Sequence, residues 1–282
     1  MSEYAVEIRE VEKGFNQFTL GTLNFCIPKG VIVGYIGQNG AGKSTTIKLI
    51  LGLLKPDNGS IKVLGVEDVN KSGIKDKIGV VFDDLFLPEE IRIKDVERLG
   101  KNIYSKWDSK SFEMYKQKFN LPEAQLVKNY SRGMKMKLSM AIALSHNAEL
   151  LILDEATSGL DPVVREEILD ILLEFMQLEN HTILISSHIL SDLEKVADYI
   201  AFIDNGKLLF MEEKDELKEN YGIIAISDEQ LCKIDKKAIV GMRSHAFGKE
   251  LLVKRNLIPE SLKFTKPSIE DIMVYYLKGE KV

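Results

Sequence analysis

A nine-residue segment near the N-terminus constrains this chain more than any other. Residues 37–45 read Gly37-Gln38-Asn39-Gly40-Ala41-Gly42-Lys43-Ser44-Thr45, which fits the pattern GxxxxGK[ST] at every fixed position. An apolar run precedes the segment at 31–36, and an amphipathic helical pattern follows at 46–51. This order of strand, loop and helix lets glycine-rich backbone point its N–H groups, and the positive end of the helix, at phosphate groups. The segment therefore predicts a nucleotide-phosphate site, because a mere turn would not need Lys followed by two hydroxyl residues.

Within this phosphate loop the residue types suggest separate roles. Lys43 adds a positive charge facing the β- and γ-phosphates, and the Ser44 hydroxyl is suited to Mg²⁺. The loop alone leaves kinases, GTPases, helicases and transport ATPases open as classes, so the rest of the chain has to choose among them.

A second motif does most to choose among these classes. The run Leu150-Leu151-Ile152-Leu153 is continuously apolar, as expected of a strand buried on both faces, and it ends in Asp154 and Glu155. Asp154 can hold the hydration shell of Mg²⁺, and Glu155 can act as the general base on an attacking water. Alone, the motif also fits a buried strand followed by a solvated acidic turn, but the phosphate loop makes that alternative much weaker.

Composition excludes several other classes of protein. The 282 residues are 45% hydrophobic, which is enough for one large α/β domain with a small appendage. The net charge of −5 argues against a nucleic-acid partner, since proteins that bind nucleic acids normally present a basic face.

Cys26 and Cys232 lie far apart with no His at ligand spacing, so we expect buried, reduced thiols rather than a disulfide or a zinc site. The chain shows neither a secretory leader nor 18 consecutive apolar residues, so we expect it to be neither secreted nor membrane-spanning.

The N-terminal residues 4–28 alternate between apolar and polar positions. They predict an antiparallel β layer with turns at Gly14 and Gly21. Phe15 could stack on an adenine ring, although an aromatic residue in a β layer is more often part of the core. Both interpretations of Phe15 stay open at this point.

Two further predicted strands end in polar residues. The run 78–82 ends at Asp83, and the run 182–187 ends at His188. A lone His after a strand is usually structural, but the carboxyl end of a parallel strand is where such sheets bind ligands. Asp83 and His188 are therefore candidate site residues.

A helical lobe is predicted between the strand that ends at Asp83 and the strand that ends at Asp154, over about 88–147. It contains Tyr130-Ser131-Arg132-Gly133-Met134, just ahead of a helix predicted over Met136 to Ser145. Ser131 has the character of an ordinary N-cap. The same geometry would also direct a hydroxyl, backbone N–H groups and a positive helix end at any anion that binds there.

The pattern changes again near residue 220. Beyond it, short apolar strands alternate with polar turns, and a helix is predicted from Ser268 to about Leu277. Residues 223–282 carry 11 Lys and Arg against 8 Asp and Glu, a net charge of +3. We predict a first domain over 1–220 and a small α+β accessory domain over 221–282.

Taken in chain order, these motifs resemble those of an ATP-binding-cassette (ABC) ATPase subunit. The resemblance spans residues 1 to about 220 and includes the Walker A loop at 37–45, the Walker B strand at 150–155 and the segment 158–161. It implies an α/β P-loop NTPase core with an antiparallel β layer and an inserted helical lobe. Tyr-Ser-Arg-Gly-Met in the signature and Pro-Ser-Ile-Glu-Asp-Ile near the C-terminus resemble the bacterial exporter branch, whose membrane subunit is a separate polypeptide.

The resemblance also implies roles for individual residues. Lys43, Glu155 and His188 match the catalytic set, with His188 as the γ-phosphate sensor, and Phe15 matches the aromatic residue that stacks on adenine. The residues that match nucleotide contacts are Phe15, Asn39, Gly40, Ala41, Gly42, Lys43, Ser44, Thr45, Asp83, Ser131, Gly133 and Asp161. The residues that match Mg²⁺ contacts are Ser44, Asp83 and Asp154.

The chain departs from the family pattern in two motifs. Asp83 stands where the family usually has a Gln, and the signature LSGGQ is Tyr130-Ser131-Arg132-Gly133-Met134 here. Asp is shorter than Gln and charged, so it would reach the metal through a water. Ser131 and Gly133 keep the atoms that matter for binding phosphate.

As a function, the resemblance implies ATP binding and Mg²⁺-dependent hydrolysis. Two nucleotide-binding subunits, either two copies or this chain with a paralogue, would close on ATP and drive a transmembrane permease from the cytoplasmic face of the cell membrane. An alternative is a soluble ABC-type ATPase with a regulatory, non-transport role. Action on ribosomes or DNA would need tandem cassettes or a long heptad insertion, and a non-hydrolysing regulator would be expected to lack Glu155 or His188.

Overall fold

The computed structural model describes residues 3–71, 73–88, 90–227, 231, 234–245, 248–259 and 262–280. The chain divides into two compact units, Met1–Met211 and Glu212–Val282. The domain ranges 1–220 and 221–282 stay a prediction of the sequence. Cys26 is a free, half-buried thiol, whereas Cys232, for which a buried thiol was also expected, lies outside the described residues.

The first unit contains two β-sheets and the helices that connect their strands. Its strands are β1 (Tyr4–Gly14), β2 (Thr19–Pro28), β3 (Ile32–Ile36), β4 (Asn58–Val63), β5 (Ile78–Val81), β6 (Leu150–Asp154), β7 (Thr182–Ser186), β8 (Tyr199–Asp204) and β9 (Lys207–Glu213). Its helices are α1 (Lys43–Ile50), α2 (Ile93–Ile103), α3 (Ser109–Lys118), α4 (Arg132–Leu144), α5 (Pro162–Phe175) and α6 (Leu190–Val196).

Strands β2, β1 and β4 form the predicted antiparallel layer, in that order. One detail of the prediction was wrong, because Gly21 lies inside β2 and not in a turn. The strand continues across Gly21 with a shift in register, since Val11 pairs with Leu23 and Lys13 pairs with Leu20, and this shift lets both leucines be fully buried. The turn between β1 and β2 is made instead by residues 15–18 and is closed by a hydrogen bond from Phe15 N–H to Phe18 O of 2.8 Å.

The larger sheet has the strand order β5-β6-β7-β3-β8-β9. Pairing is parallel from β5 through β8, and a two-residue turn joins β8 to β9. Every residue of β3, β6 and β7 is buried, as the continuous apolar runs predicted. The carboxyl ends of these three strands lie along one edge, which is where their polar residues meet.

Helices α2, α3 and α4 lie between β5 and β6 in the chain, where the helical lobe was expected. Ser131 is the N-cap of α4, and its Oγ accepts a hydrogen bond from Met134 N of 3.2 Å. The helix therefore begins at Arg132, not at the predicted Met136, because the cap and not the first apolar residue sets the start. Helix α5 begins at Pro162 and stops at Phe175.

The second unit is a small α+β arrangement. Its elements are α7 (Lys214–Asn220), β10 (Tyr221–Ile226), β11 (Ile239–His245), β12 (Gly248–Lys254) and α8 (Ile269–Lys278). The strands form an antiparallel sheet in the order β10-β12-β11 around a core that includes Ile224, Leu251 and Val253. The helix predicted from Ser268 to about Leu277 is confirmed as α8, whose N-cap Ser268 exchanges hydrogen bonds with Asp271 in a capping box.

Within the part of the chain that the structure describes, no helix combines the length and the apolar character that crossing a bilayer requires.

The core of the larger sheet should dominate the stability of the first unit. Leu151 in β6 is fully buried between Gly79 and Ile183 of the neighbouring strands, whereas Leu173 on α5 is 45% exposed. We expect Leu151→Ala to lower the free energy of unfolding by about 2–5 kcal/mol, because it removes buried methyl groups and leaves a cavity. Leu173→Ala is the matched control and should change it by less than about 1 kcal/mol. Urea denaturation followed by circular dichroism measures both, and equal losses would contradict the placement of β6.

Candidate phosphate-binding and hydrolytic site

The phosphate loop joins β3 to α1 through glycines that the packing requires. A Cβ on Gly37 would lie 2.4 Å from the Ile203 carbonyl oxygen of β8, so only Gly fits there. Gly42 has a φ of 113° and would meet Leu20 Cδ1 at 2.7 Å if it carried a Cβ. The loop is thus packed tightly from behind and folds in the way that the motif predicted.

The start of α1 presents unpaired donors to the open side of the loop. Its N-cap is Gly42, with no side-chain cap, and its first turn carries no acidic residue. Asn39 and Gly40 are exposed, and a Cβ added to Gly40 would meet nothing within 4 Å. A helix end without a cap and with open space next to it attracts an anion, because the first N–H groups and the helix dipole both favour negative charge.

A buried hydrogen-bond chain holds the first turn of α1 to β3. Thr46 Oγ1 donates to Gly42 O at 3.0 Å, so the Tyr35 hydroxyl, 3.1 Å away, must be the donor to Thr46. Burial raises the pKa of Tyr35 well above its ordinary value, which keeps this hydroxyl neutral and able to donate. The phosphate loop is therefore held in place by neutral groups, and the charge in the site comes from other residues.

Lys43 is the buried cation of the site. Its ammonium group donates to Gly37 O at 2.8 Å and to Gln38 O at 3.3 Å, which folds the side chain back over the loop. The residue is only 5% exposed. Its third neighbour is a carboxylate, with Glu155 Oε1 at 3.3 Å.

Asp154 and Glu155 leave β6 in different directions because the backbone turns between them. Asp154 is buried, and Ser186 Oγ on β7 donates to its Oδ1 at 2.6 Å. Glu155 has a φ of 53°, an uncommon conformation for a residue with a side chain. Its N–H is held by Ser186 O and Ser186 Oγ, both at 3.1 Å. A strained residue that is so firmly held is typical of a functional site.

The side chain of Glu155 lies between two groups that can carry positive charge. Its Oε2 is 2.5 Å from Nδ1 of His188, and its Oε1 faces Lys43 without receiving a hydrogen bond from any residue that the structure describes. His188 follows β7 by two residues and its side chain is half exposed. The structure thus brings Lys43, Glu155 and His188 together, and a carboxylate held in this way can accept a proton from an adjacent water.

The other residues predicted to contact nucleotide lie around this centre. Ser44 is exposed and Thr45 is half-buried at the start of α1, and Ala41 is buried in the loop. Phe15 is 45% exposed and stacks on Phe18, with ring centroids 6.3 Å apart. Phe18 in turn lies 3.2 Å from the position of a Cβ on Gly42. The β1–β2 turn therefore carries Phe15 to the side of the phosphate loop.

Asp83 occupies the same edge of the sheet, one strand away from Glu155. Val81 pairs with Leu153 in parallel register, so Asp83 and Glu155 each follow a paired residue by two positions. Asp83 is exposed and lies on the wall of a cavity of about 330 Å³ between the end of β5 and α4. The cavity is lined by Phe82, Asp83, Asp84, Leu85, Tyr130, Arg132, Lys135, Met136 and Ser139.

The signature segment contacts the turn that follows Glu155. A Cβ on Gly159 would lie 3.0 Å from Cζ of Arg132, and one on Gly133 would lie 3.4 Å from the Val164 methyl groups. Asp161 caps α5 by accepting from Val163 N and Val164 N. Ser131 and Asp161 are thus both ordinary N-caps in this chain, at the starts of two helices whose first turns are in contact.

Ser186 is the site residue that the sequence interpretation missed. It pairs with both Asp154 and Tyr35 in the sheet, and its side chain holds Asp154 and the N–H of Glu155. The sequence did contain a signal, because Ser186 ends a run typical of a buried strand, and a buried hydroxyl needs a hydrogen-bond partner.

A comparison with known families agrees with this geometry. The family model described as ABC transporter matches residues 20–158, which include the phosphate loop, the signature segment and the Asp154-Glu155 pair.

Individual proteins that resemble the chain cover most of it. It is 35% identical over 236 residues to the bacitracin transport ATP-binding protein BcrA of Bacillus licheniformis, covering 82% of this chain and 75% of BcrA. It is 36% identical over 212 residues to the lantibiotic transport ATP-binding protein SrtF of Streptococcus pyogenes, covering 74% of this chain and 91% of SrtF. Among solved structures, the chain superposes on cbiO1 of Clostridium perfringens with a TM-score of 0.66 at 26% identity, covering 77% of this chain and 91% of cbiO1. That protein is part of the ABC transporter complex cbiONQ.

Proposed function

This chain belongs to the ABC transporter family, and we propose that it is the ATP-binding and ATP-hydrolysing subunit of an exporter whose membrane-spanning permease is a separate polypeptide. The observation that supports hydrolysis best is the convergence of Lys43, Glu155 and His188 at the carboxyl ends of β3, β6 and β7. The relatives named for bacitracin and lantibiotic transport support an export role.

In the proposed mechanism the phosphate loop binds ATP and Glu155 activates the water. The uncapped start of α1 and Lys43 neutralise the phosphates, and Phe15 stacks on the adenine ring. Glu155 takes a proton from the attacking water, and the contact with His188 fixes the direction in which its carboxylate points. His188, half exposed beside Glu155, is then available to hydrogen bond the γ-phosphate.

The residues present are suited to Mg²⁺ bound together with ATP. No group of three or more His, Cys, Asp or Glu within the described ranges could hold a metal ion by itself. Mg²⁺ does not need such a group, because it usually takes one or two carboxylates and the oxygens of the substrate phosphates. Ser44, Asp154 and Asp83 would hold the ion, Asp83 through a water, and the bound ion would neutralise charge that develops on the phosphates.

The signature segment is suited to act on ATP bound by a second subunit. Helix α4 packs on β5, and β6 and β7 separate β5 from β3 and its phosphate loop. Three strand spacings amount to about 14 Å, which is beyond the reach of the Ser131 side chain. Two subunits arranged head to tail would instead bring Ser131 and Gly133 of each onto the nucleotide of the other, so that ATP closes the dimer and hydrolysis opens it.

The cavity beside Asp83 is our candidate docking site for the permease. Its walls combine carboxylates, cations and apolar side chains, and Phe86 beyond it is 77% exposed while its ring packs edge-on against Phe82. A cytoplasmic helix of the permease that carries one large apolar side chain would fit this cavity. This contact would hold the chain at the inner face of the cell membrane.

Lys43→Ala should weaken ATP binding, because it deletes the cation that faces the β- and γ-phosphates. We expect the dissociation constant to rise at least tenfold, a loss of about 1.4 kcal/mol in binding free energy. Lys48→Ala, the same change at an exposed position of α1, is the matched control and should leave affinity unaltered. Calorimetric titration with MgATP measures both, and an unchanged affinity in Lys43→Ala would contradict the assignment.

Glu155→Gln should keep ATP binding but slow hydrolysis by a factor on the order of 10² to 10⁴, because it removes the base and leaves the phosphate contacts in place. The variant should accumulate as an ATP-bound dimer, visible by size-exclusion chromatography with and without MgATP. Glu179→Gln, at an exposed carboxylate, serves as the control. A Glu155→Gln protein that binds ATP and stays monomeric would count against the sandwich mechanism.

Gly133→Asp separates the two interpretations of the signature segment. A Cβ added to Gly133 meets only the Val164 side chain, at 3.4 Å or more, and an acid in the first turn of α4 suits the helix dipole, so a cap alone would tolerate the change within about 1 kcal/mol. Opposite the γ-phosphate of a partner's ATP, the new charge would cost roughly several kcal/mol and prevent closure. We therefore expect normal ATP affinity with hydrolysis lost. Gly133→Asn, the uncharged isostere of the Asp variant, should retain more activity, and normal hydrolysis in Gly133→Asp would refute the trans contact.

A further inference from the structure

Three polar side chains outside the phosphate site converge behind it, and we refer to Thr157, Arg165 and Asp192 as the tie cluster. Thr157 Oγ1, Arg165 Nε and Asp192 Oδ2 are all buried and make no well-formed hydrogen bond to a described residue, although Thr157 and Arg165 both lie beside Asp192. Native proteins leave few buried polar atoms unpaired, and each such atom needs an explanation. Three such atoms in one cluster indicate that these side chains have a role beyond packing.

The charges within the tie cluster are complementary. Asp192 is 2% exposed, and its Oδ2 lies 3.9 Å from Arg165 Nε. Burial raises the pKa of Asp192 above its ordinary value, while the Thr157 hydroxyl and the Arg165 guanidinium oppose that rise. A shift of about 1 Å, or one bridging water, would turn the 3.9 Å contact into a charge-assisted hydrogen bond.

The cluster connects the two loops that carry the proposed base and its His partner. Thr157 lies in the turn after Glu155, and Asp192 lies in the first turn of α6, shortly after His188. Arg165 reaches both loops, since its Nη2 donates to Leu160 O at 3.3 Å while its Nε faces Asp192. The two loops are therefore joined twice. Glu155 contacts His188 directly, and Arg165 contacts both Leu160 and Asp192.

We propose that Arg165 and Asp192 are positioning residues that keep His188 against Glu155 by joining the turn after Glu155 to the start of α6. This inference rests on the proposed function, in which Glu155 activates the water and the contact with His188 fixes the direction of its carboxylate. If the Arg165–Asp192 contact is lost, the start of α6 is held less firmly, and His188 moves away from Glu155.

The test compares Asp192→Asn with the wild type in the full-length chain. The change keeps the shape of the side chain and removes the charge that Arg165 faces. We expect ATP affinity within about twofold of the wild type, ATP-driven dimerisation preserved in the Glu155→Gln background, and kcat reduced by about 10- to 100-fold, the range that a misplacement of about 1 Å can produce. Asp192→Glu, which restores the charge, should recover part of kcat.

Asp170→Asn is the matched control, since it is the same substitution at an exposed position of α5 and should leave every measurement unchanged. Thermal unfolding of each variant gives the folded fraction to which kcat is normalised. Wild-type turnover in Asp192→Asn would overturn the inference, and so would a loss of kcat that only parallels losses of ATP affinity and of folded protein. Failure of the wild type itself to hydrolyse ATP or to dimerise would instead refute the proposed function.

Discussion

Parallel pairing of β6, β7 and β3 is the constraint on which the rest of the structure depends. Parallel strands deliver their carboxyl ends to the same edge, so residues from distant parts of the chain arrive side by side. Ser186 is the centre of this arrangement, since it pairs with Asp154 on one side and with Tyr35 on the other. A register shift of one residue in β7 would reverse its side chains and move the Ser186 hydroxyl away from Asp154.

The electrostatics of the site follow from that register. Lys43 is buried and folded back on its loop, where an unpaired ammonium would be costly, and Glu155 supplies the nearby negative charge. Glu155 can reach Lys43 because its backbone adopts a left-handed conformation, which two hydrogen bonds to Ser186 hold in place. The same turn directs its second carboxylate oxygen to His188. One strained residue thus links the phosphate-binding side of the site to the groups that act on water.

Beyond the site, contacts join the helical insertion to the turn after Glu155. The Arg132 guanidinium lies over Gly159, and Gly133 faces Val164 near the start of α5. Asp83 and Arg132, which both differ from the usual family residue, line the same cavity and carry opposite charges. In the proposed function this brings the signature, the permease groove and the hydrolytic pair within one connected set of contacts, with the tie cluster behind it.

The sequence by itself determined the residue types of the site and the order of the elements that carry them. Local patterns were sufficient for this, because a phosphate loop, an apolar strand ending in acids and a capped helix are each encoded within about ten residues. Local pattern also misplaced some boundaries, such as the turn expected at Gly21 and the start of α4.

Only the tertiary structure decided that Glu155 lies between Lys43 and His188, that Ser186 holds Asp154, and that Arg165 faces Asp192. The partners in these contacts are far apart in the chain, and Lys43 and Glu155 lie on either side of the whole helical insertion. Strand order and register bring such residues together, and neither is encoded in any single segment.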